Sequence, residues 1–150
     1  MKIFLALVLA LALAGCEGNA LIVKHGAQNN WDSIADQSKV EKAKQGIFVG
    51  DYDKIFGKIC DMLEAGDAVL EKRSKSDGLI ETAPYSIANF ITQVVVNKID
   101  GGVELQWKRL VKVSRDKTIF ADSDQETRAK NSEGMNFRLL QYLETGQLTR

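Results

Sequence analysis

The stretch ANFITQVVVNKIDGGVELQWKRLVKVSRD, residues 88–116, decides the fold. Val94, Val95 and Val96 favour extended backbone, because side chains branched at Cβ pack well on a pleated surface. Asp100-Gly101-Gly102 is a strong turn signal between two apolar runs. Past the turn, Val103, Leu105 and Trp107 alternate with Glu104, Gln106 and Lys108, which predicts a strand with one buried and one polar face. The stretch therefore predicts an antiparallel hairpin. Near Arg109 the alternation slips, with Leu110 followed by Val111 and Val113, and a bulge is expected there.

Working back along the chain, DAVLEKRSKSDGLIETA reads as another hairpin, its tip near Ser76–Gly78 and its far end broken by Pro84. Before it, DYDKIFGKICDMLEAGD predicts a helix. Asp51 is a candidate cap, Asp53 sits in the first turn where negative charge suits the helix dipole, and Gly66 is a stop. Ile55, Ile59, Met62 and Leu63 recur at helical spacing, with Phe56 and Cys60 beside them. Gly57 inside this helix costs about 1 kcal/mol relative to alanine, which suggests close packing against a sheet. IFVG, residues 47–50, is a short apolar run suited to a strand.

Working forward, FADSDQETRAKNSEGMNF is polar and poorly periodic, and is expected to be loop with a frayed helical turn. A terminal helix is expected over SEGMNFRLLQYLETG, capped by Ser132 and stopped by Gly146, with Met135, Leu139 and Leu143 as its apolar stripe. Helices at both ends of a run of strands predict the α+β class. The expected architecture is an antiparallel sheet of about five strands, in two hairpins, packed by one N-terminal and one C-terminal helix. The domain is expected over residues 46–150. Residues 16–45 read as a tether: in NNWDSIADQSKVEKAKQG the stripe of Trp31, Ile34 and Ser38 is thin, as in a marginal helix or flexible linker, or in a segment that docks on a partner.

The chain opens MKIFLALVLALALAGCEGNA. A bilayer span needs about 20 apolar residues, and the run from Ile3 to Gly15 is shorter. A charged start at Lys2, an apolar middle and a small-residue end form the layout of a secretory signal peptide over residues 1–15. Leu13, Ala14, Gly15 and Cys16 resemble the lipobox of bacterial lipoproteins. That resemblance implies peptidase recognition of Leu13, Ala14 and Gly15, and acyl chains on Cys16, three of them or two in some bacteria. Two or more chains anchor firmly where one holds only marginally. Glu17, rather than Asp, after the cysteine implies the outer membrane, facing the periplasm, or the cell membrane in a Gram-positive organism. An ordinary signal peptide with a chance cysteine, or an uncleaved anchor, are the other readings of the same residues.

A further resemblance lies in Asp51 to Thr82. An aromatic-led helix followed by an extended pair, with Asp77, Gly78, Leu79, Ile80 and Thr82 at the turn and strand, is similar to the repeated domain of the C lipoprotein of the outer-membrane β-barrel assembly machine. The resemblance implies a helix-grip-like fold, in which an antiparallel sheet grips a terminal helix. It carries over no binding residues.

The 20 basic and 20 acidic residues balance, so no charge excess points to nucleic acid. Cys60 reads as a buried apolar residue, with an intermolecular disulfide or a reactive thiol as the other reading, and the only histidine is His25. No nucleophile, phosphate-loop or zinc-protease motif occurs, and no cofactor or metal is expected. Asp122, Asp124 and Glu126 alternate as calcium ligands do but lack the loop glycine, and read as a solvated acidic loop. Lys108, Arg109, Lys112, Arg115 and Lys117 form a basic strip, either a solvated face or a contact for anionic head groups or peptidoglycan.

The expectation is a lipid-anchored, non-enzymatic envelope protein, a binding or accessory module held at the membrane by acyl chains on Cys16 and serving an envelope protein partner. The alternative is a carrier of a small hydrophobic ligand, in a pocket between the sheet and the terminal helix near Trp107, Leu139 and Leu143. That alternative requires a cavity of several hundred cubic ångströms.

Overall fold

Asp100 and Gly101 turn the chain between two long strands whose registers run without a break from Ile99↔Gly102 to Phe90↔Val111. Around this hairpin the computed structural model, which describes residues 29–148, builds a single antiparallel sheet of the α+β class. Its strands are β1 (Ile47–Val49), β2 (Leu70–Ser74), β3 (Leu79–Thr82), β4 (Phe90–Ile99), β5 (Gly102–Ser114) and β6 (Lys117–Phe120). The helices are α1 (Gln37–Lys44), α2 (Tyr52–Ala65) and α3 (Gln125–Thr145), and a single 3-10 turn precedes them at Trp31–Ser33.

The sheet order is β1-β5-β4-β3-β2, with β6 also paired to β5. β4 occupies one edge of β5 over residues 102–111. β1 and β6 therefore share the other edge, β1 on residues 102–104 and β6 on residues 110–114. Between them the backbone of β5 is met from α3, where Ser132 Oγ donates to the Trp107 carbonyl at 3.4 Å.

One face of the sheet carries Ile80, Val94, Val96, Val103, Leu105 and Trp107 into a core shared with Ile59, Met62, Leu63 and Leu139. The period-two pattern of β4 and β5 meets the helical period of α2 and α3 there, which is the elementary reason these segments pack. The polar groups in this core are matched. Trp107 Nε1 donates to Asn136 Oδ1 at 2.8 Å, and the Thr92 amide donates to Thr82 Oγ1 at 2.9 Å.

The caps of α2 form as the sequence leads one to expect. Asp51 accepts from the Lys54 amide at 3.0 Å, and the helix ends at Gly66. The left-handed residue is one position later, at Asp67 (φ 63°). The tip of the β2–β3 hairpin is fixed by Gly78 (φ 61°), where a Cβ would sit 2.3 Å from the Val96 carbonyl oxygen. Tyr52, first residue of α2, reaches this turn and donates to the Lys75 carbonyl at 2.7 Å. This bond joins the aromatic-led helix to the turn that follows it in sequence.

Four expectations are corrected. First, the folded unit begins before Gly46. Trp31, Ile34, Val40 and Ala43, assigned to the tether, are buried in the core. Their stripe is invisible as one period because it spans two elements. The 3-10 turn ends at an extended Ile34, and Asp36 then caps α1 afresh, accepting from the Ser38 and Lys39 amides. Second, α3 starts at Gln125 and not at Ser132. Asp124 caps it, accepting from the Thr127 amide at 2.8 Å and from Thr127 Oγ1 at 2.9 Å. Third, β5 has no bulge near Arg109, which pairs regularly with Thr92. The pattern slips because both faces are apolar at that level: Leu110 pairs with buried Ile91, and Val111 pairs with Phe90. The irregularity falls further on, where Val113 is the extra residue between Lys112 and Ser114 against β6. Fourth, Gly57 does not approach the sheet, since a Cβ there would meet nothing within 4 Å.

Candidate functional site

Cys16 and the peptidase-recognition residues Leu13, Ala14 and Gly15 lie outside the described residues. So does His25. No helix among the described residues is long and apolar enough to cross a membrane.

Trp107, Leu139 and Leu143 do not gather into a ligand pocket. Leu139 is fully buried in the core, and Leu143 packs against that core from its rim. The Trp107 ring is spent between the sheet and Asn136 of α3. Only its outer edge reaches a cleft, of about 70 Å³, at the open end of the β5–α3 junction. Pockets that bury a drug-sized ligand run to about 300–1,000 Å³, so the cleft admits a few water molecules or one small ion. The apolar side chains that were expected to line a cavity fill it instead.

The cleft is built from both elements. β5 contributes Trp107 and Arg109, β6 contributes Phe120, and α3 contributes Arg128, Ser132 and Met135 at helical spacing. The two arginines are each braced by a ring. The Arg109 guanidinium lies 4.0 Å from the centroid of Phe90, and that of Arg128 lies 4.2 Å from the centroid of Phe120. Cation–π stacking of this kind is worth about 0.5–2 kcal/mol depending on exposure. Asp122 ties the arginines together. Its carboxylate stands 3.7 Å from Arg109 and accepts from Asn131 Nδ2 at 2.7 Å, while its carbonyl accepts from Arg128 Nε at 2.9 Å. On the sheet side, the Tyr85 and Thr92 hydroxyls are 3.2 Å apart. This is a clasp that fixes the start of α3 to the end of β5.

The acidic run is accounted for in the same way. Asp122 belongs to the clasp and Asp124 caps α3. Glu126 pairs with Lys130 at 2.7 Å on the helix surface. The three are turned to separate tasks, and among the described residues no group of three or more His, Cys, Asp or Glu side chains is placed to hold a metal ion. Hydrogen bonds from the Thr127 amide and then its hydroxyl hold the Asp124 carboxyl below its ordinary range. Cys60 lies buried on α2, and that burial, outweighing the nearby Arg73, pushes its thiol up and away from the reactive thiolate.

The basic strip divides. Arg109 is drawn into the clasp and Lys108 is half-buried beside it. Arg115 and Lys117 stand exposed at the end of the β5–β6 hairpin, with Lys112 half-buried below them.

Arg128, Phe120 and Asn131 were not singled out from sequence. The signal of Arg128 and Asn131 was present in the spacing 128, 131, 132 and 135, which is one face of a helix, whereas Phe120 lies on β6 and carried none. The helical signal becomes readable only once α3 is started at Gln125. Compared with known proteins, the chain matches no family model, no curated protein and no solved structure.

Proposed function

We propose that this chain is a lipid-anchored, non-enzymatic cell-envelope protein, a binding or accessory module for membrane-associated partners. The anchor is Cys16, and the site of action is the periplasmic face of the outer membrane, or the outer face of the cell membrane in a Gram-positive organism. The observation that carries the reading is the run Leu13-Ala14-Gly15-Cys16 behind Lys2 and an apolar stretch. Anchoring would supply the mechanism. Confinement to a surface raises the effective concentration of the module near partners held by the same surface.

The interior of the domain supports a role for its exterior. Its apolar side chains fill the space between sheet and helices, and no buried side-chain nitrogen or oxygen among the described residues lacks a partner. The polar groups around the cleft hold one another rather than converging on an open space.

The test is the intact mass and membrane partition of the chain expressed in a bacterial host, beside Cys16→Ser. The parent is expected to carry acyl mass on an N-terminal cysteine and to enter the detergent phase. Cys16→Ser is expected to keep its first 15 residues and carry no lipid. Masses that differ only by the exchange of sulfur for oxygen, with identical partition for the two, would overturn the anchor.

A further inference from the structure

The distal part of the β5–β6 hairpin runs on past the cover of the helices. Every residue from 113 to 120 is exposed, and three of them are large and apolar. Val113 retains 49%, Ile119 48% and Phe120 45% of its surface. Beside them Ile87, in the loop before β4, is fully exposed, and this loop is tied to the hairpin by the Lys112 amide, which donates to the Asn89 carbonyl at 3.1 Å. The bulge at Val113 adds local twist to the hairpin.

The charge around these side chains is mainly positive. Among the described residues Lys112, Arg115 and Lys117 form no ion pair, whereas Arg109, Arg128 and Lys130 are each satisfied by an acid or a carbonyl. The one carboxylate at the tip is Asp116, in the two-residue turn between Ser114 and Lys117. The exposed apolar side chains are unfavourable in water, whereas the basic groups beside them are well solvated and free to pair with anions. An anionic lipid surface answers both features. It offers negative head groups for the lysines and arginine, and an interfacial layer that receives valine and isoleucine without needing a fixed complementary shape.

We propose that the β5–β6 hairpin is a second membrane contact, which lays Val113 and Ile119 into the head-group layer of an anionic bilayer while Lys112, Arg115 and Lys117 bind its phosphates. The contact is independent of acylation at Cys16. It would fix the orientation of the domain on the surface, which a tether alone leaves free.

The experiment uses residues 17–150, which hold the whole folded unit without the apolar leader or Cys16, with an environment-sensitive fluorophore on Ile119→Cys; Cys60, buried, stays in place. A control carries the fluorophore on Glu71→Cys, in β2. With vesicles of mixed phosphatidylglycerol and phosphatidylcholine, the probe at 119 is expected to shift to the blue and to be shielded from an aqueous quencher, while the probe at 71 is not. Added salt is expected to weaken the response. The double variant Arg115→Glu, Lys117→Glu, whose melting transition should match the parent's because both side chains are exposed, is expected to lose about tenfold or more in apparent affinity. An equal response to pure phosphatidylcholine, or a probe at 119 that stays aqueous on the anionic vesicles, would overturn the proposal. A response that grows with protein concentration in the absence of lipid would overturn it as well, by showing a second copy of the chain as the occupant.

Discussion

Asp124 shows how one carboxylate turns acidity into a stability term. Its pKa in the folded protein is depressed by the Thr127 amide and hydroxyl. A group depressed on folding contributes stability that is fully present above its unfolded value, near 3.8, and is lost as pH falls through the lower folded value. Asp124→Asn keeps a capping oxygen but cannot titrate. The parent is expected to melt above this variant at neutral pH, and the gap should close as the solution is acidified below the ordinary carboxylate range. Melting curves of the two proteins across that range check the sign, and a gap that widens in acid would refute the assignment. At this scale the sequence was legible where a residue acts on its own neighbours, as Asp51, Gly78 and Gly146 do. It was not legible where the role depends on what lies opposite. Trp107 could have faced a ligand, but its indole donates to Asn136, 29 residues away. Leu139 could have lined a pocket, but the space it faces is occupied by other core side chains.

At the scale of elements, α2 carries an unexploited gain. Gly57 lies mid-helix with no neighbour within 4 Å of a built Cβ and no positive φ. Gly57→Ala is therefore expected to raise stability by about 0.5–1 kcal/mol, read as a higher denaturant midpoint with an unchanged slope. A loss of stability would mean that the helix packs more closely at that turn than the structure has it. The strong elements were readable because local signals agree with the tertiary demand: valines, turn and alternation in β4–β5, cap and stripe in α2. β6 and the first two turns of α3 were not. β6 is a four-residue edge strand with every side chain exposed, so no buried face imprints a pattern on it. The first two turns of α3 bury no side chain; their cleft-facing Arg128 and Asn131 are polar, so the helix there has no apolar stripe to betray it.

At the scale of the whole molecule, the boundary between tether and domain lies earlier than the composition suggests, and Trp31 is its mark. The indole donates to Glu133 Oε1 at 2.9 Å and meets the Phe137 ring edge-on at 5.0 Å. Trp31→Ala is expected to cost about 3 kcal/mol or more, as truncation of a buried aromatic does. The check is equilibrium unfolding, in which a residue of a mere tether would leave the midpoint where it was. The partners of this segment are remote in the chain: Trp31 and Glu133 are 102 residues apart, and Lys39 and Glu144 are 105. A polypeptide delivered from its N-terminus presents residues 31–44 first and α3 last. The earliest part of the domain to emerge therefore has no completed surface to lie on until the end of the chain arrives. Contacts of such long range are slow to form, so the return of the last helix to the first is expected to be the closing event in building this molecule, with β5 the strand on which both edges are hung.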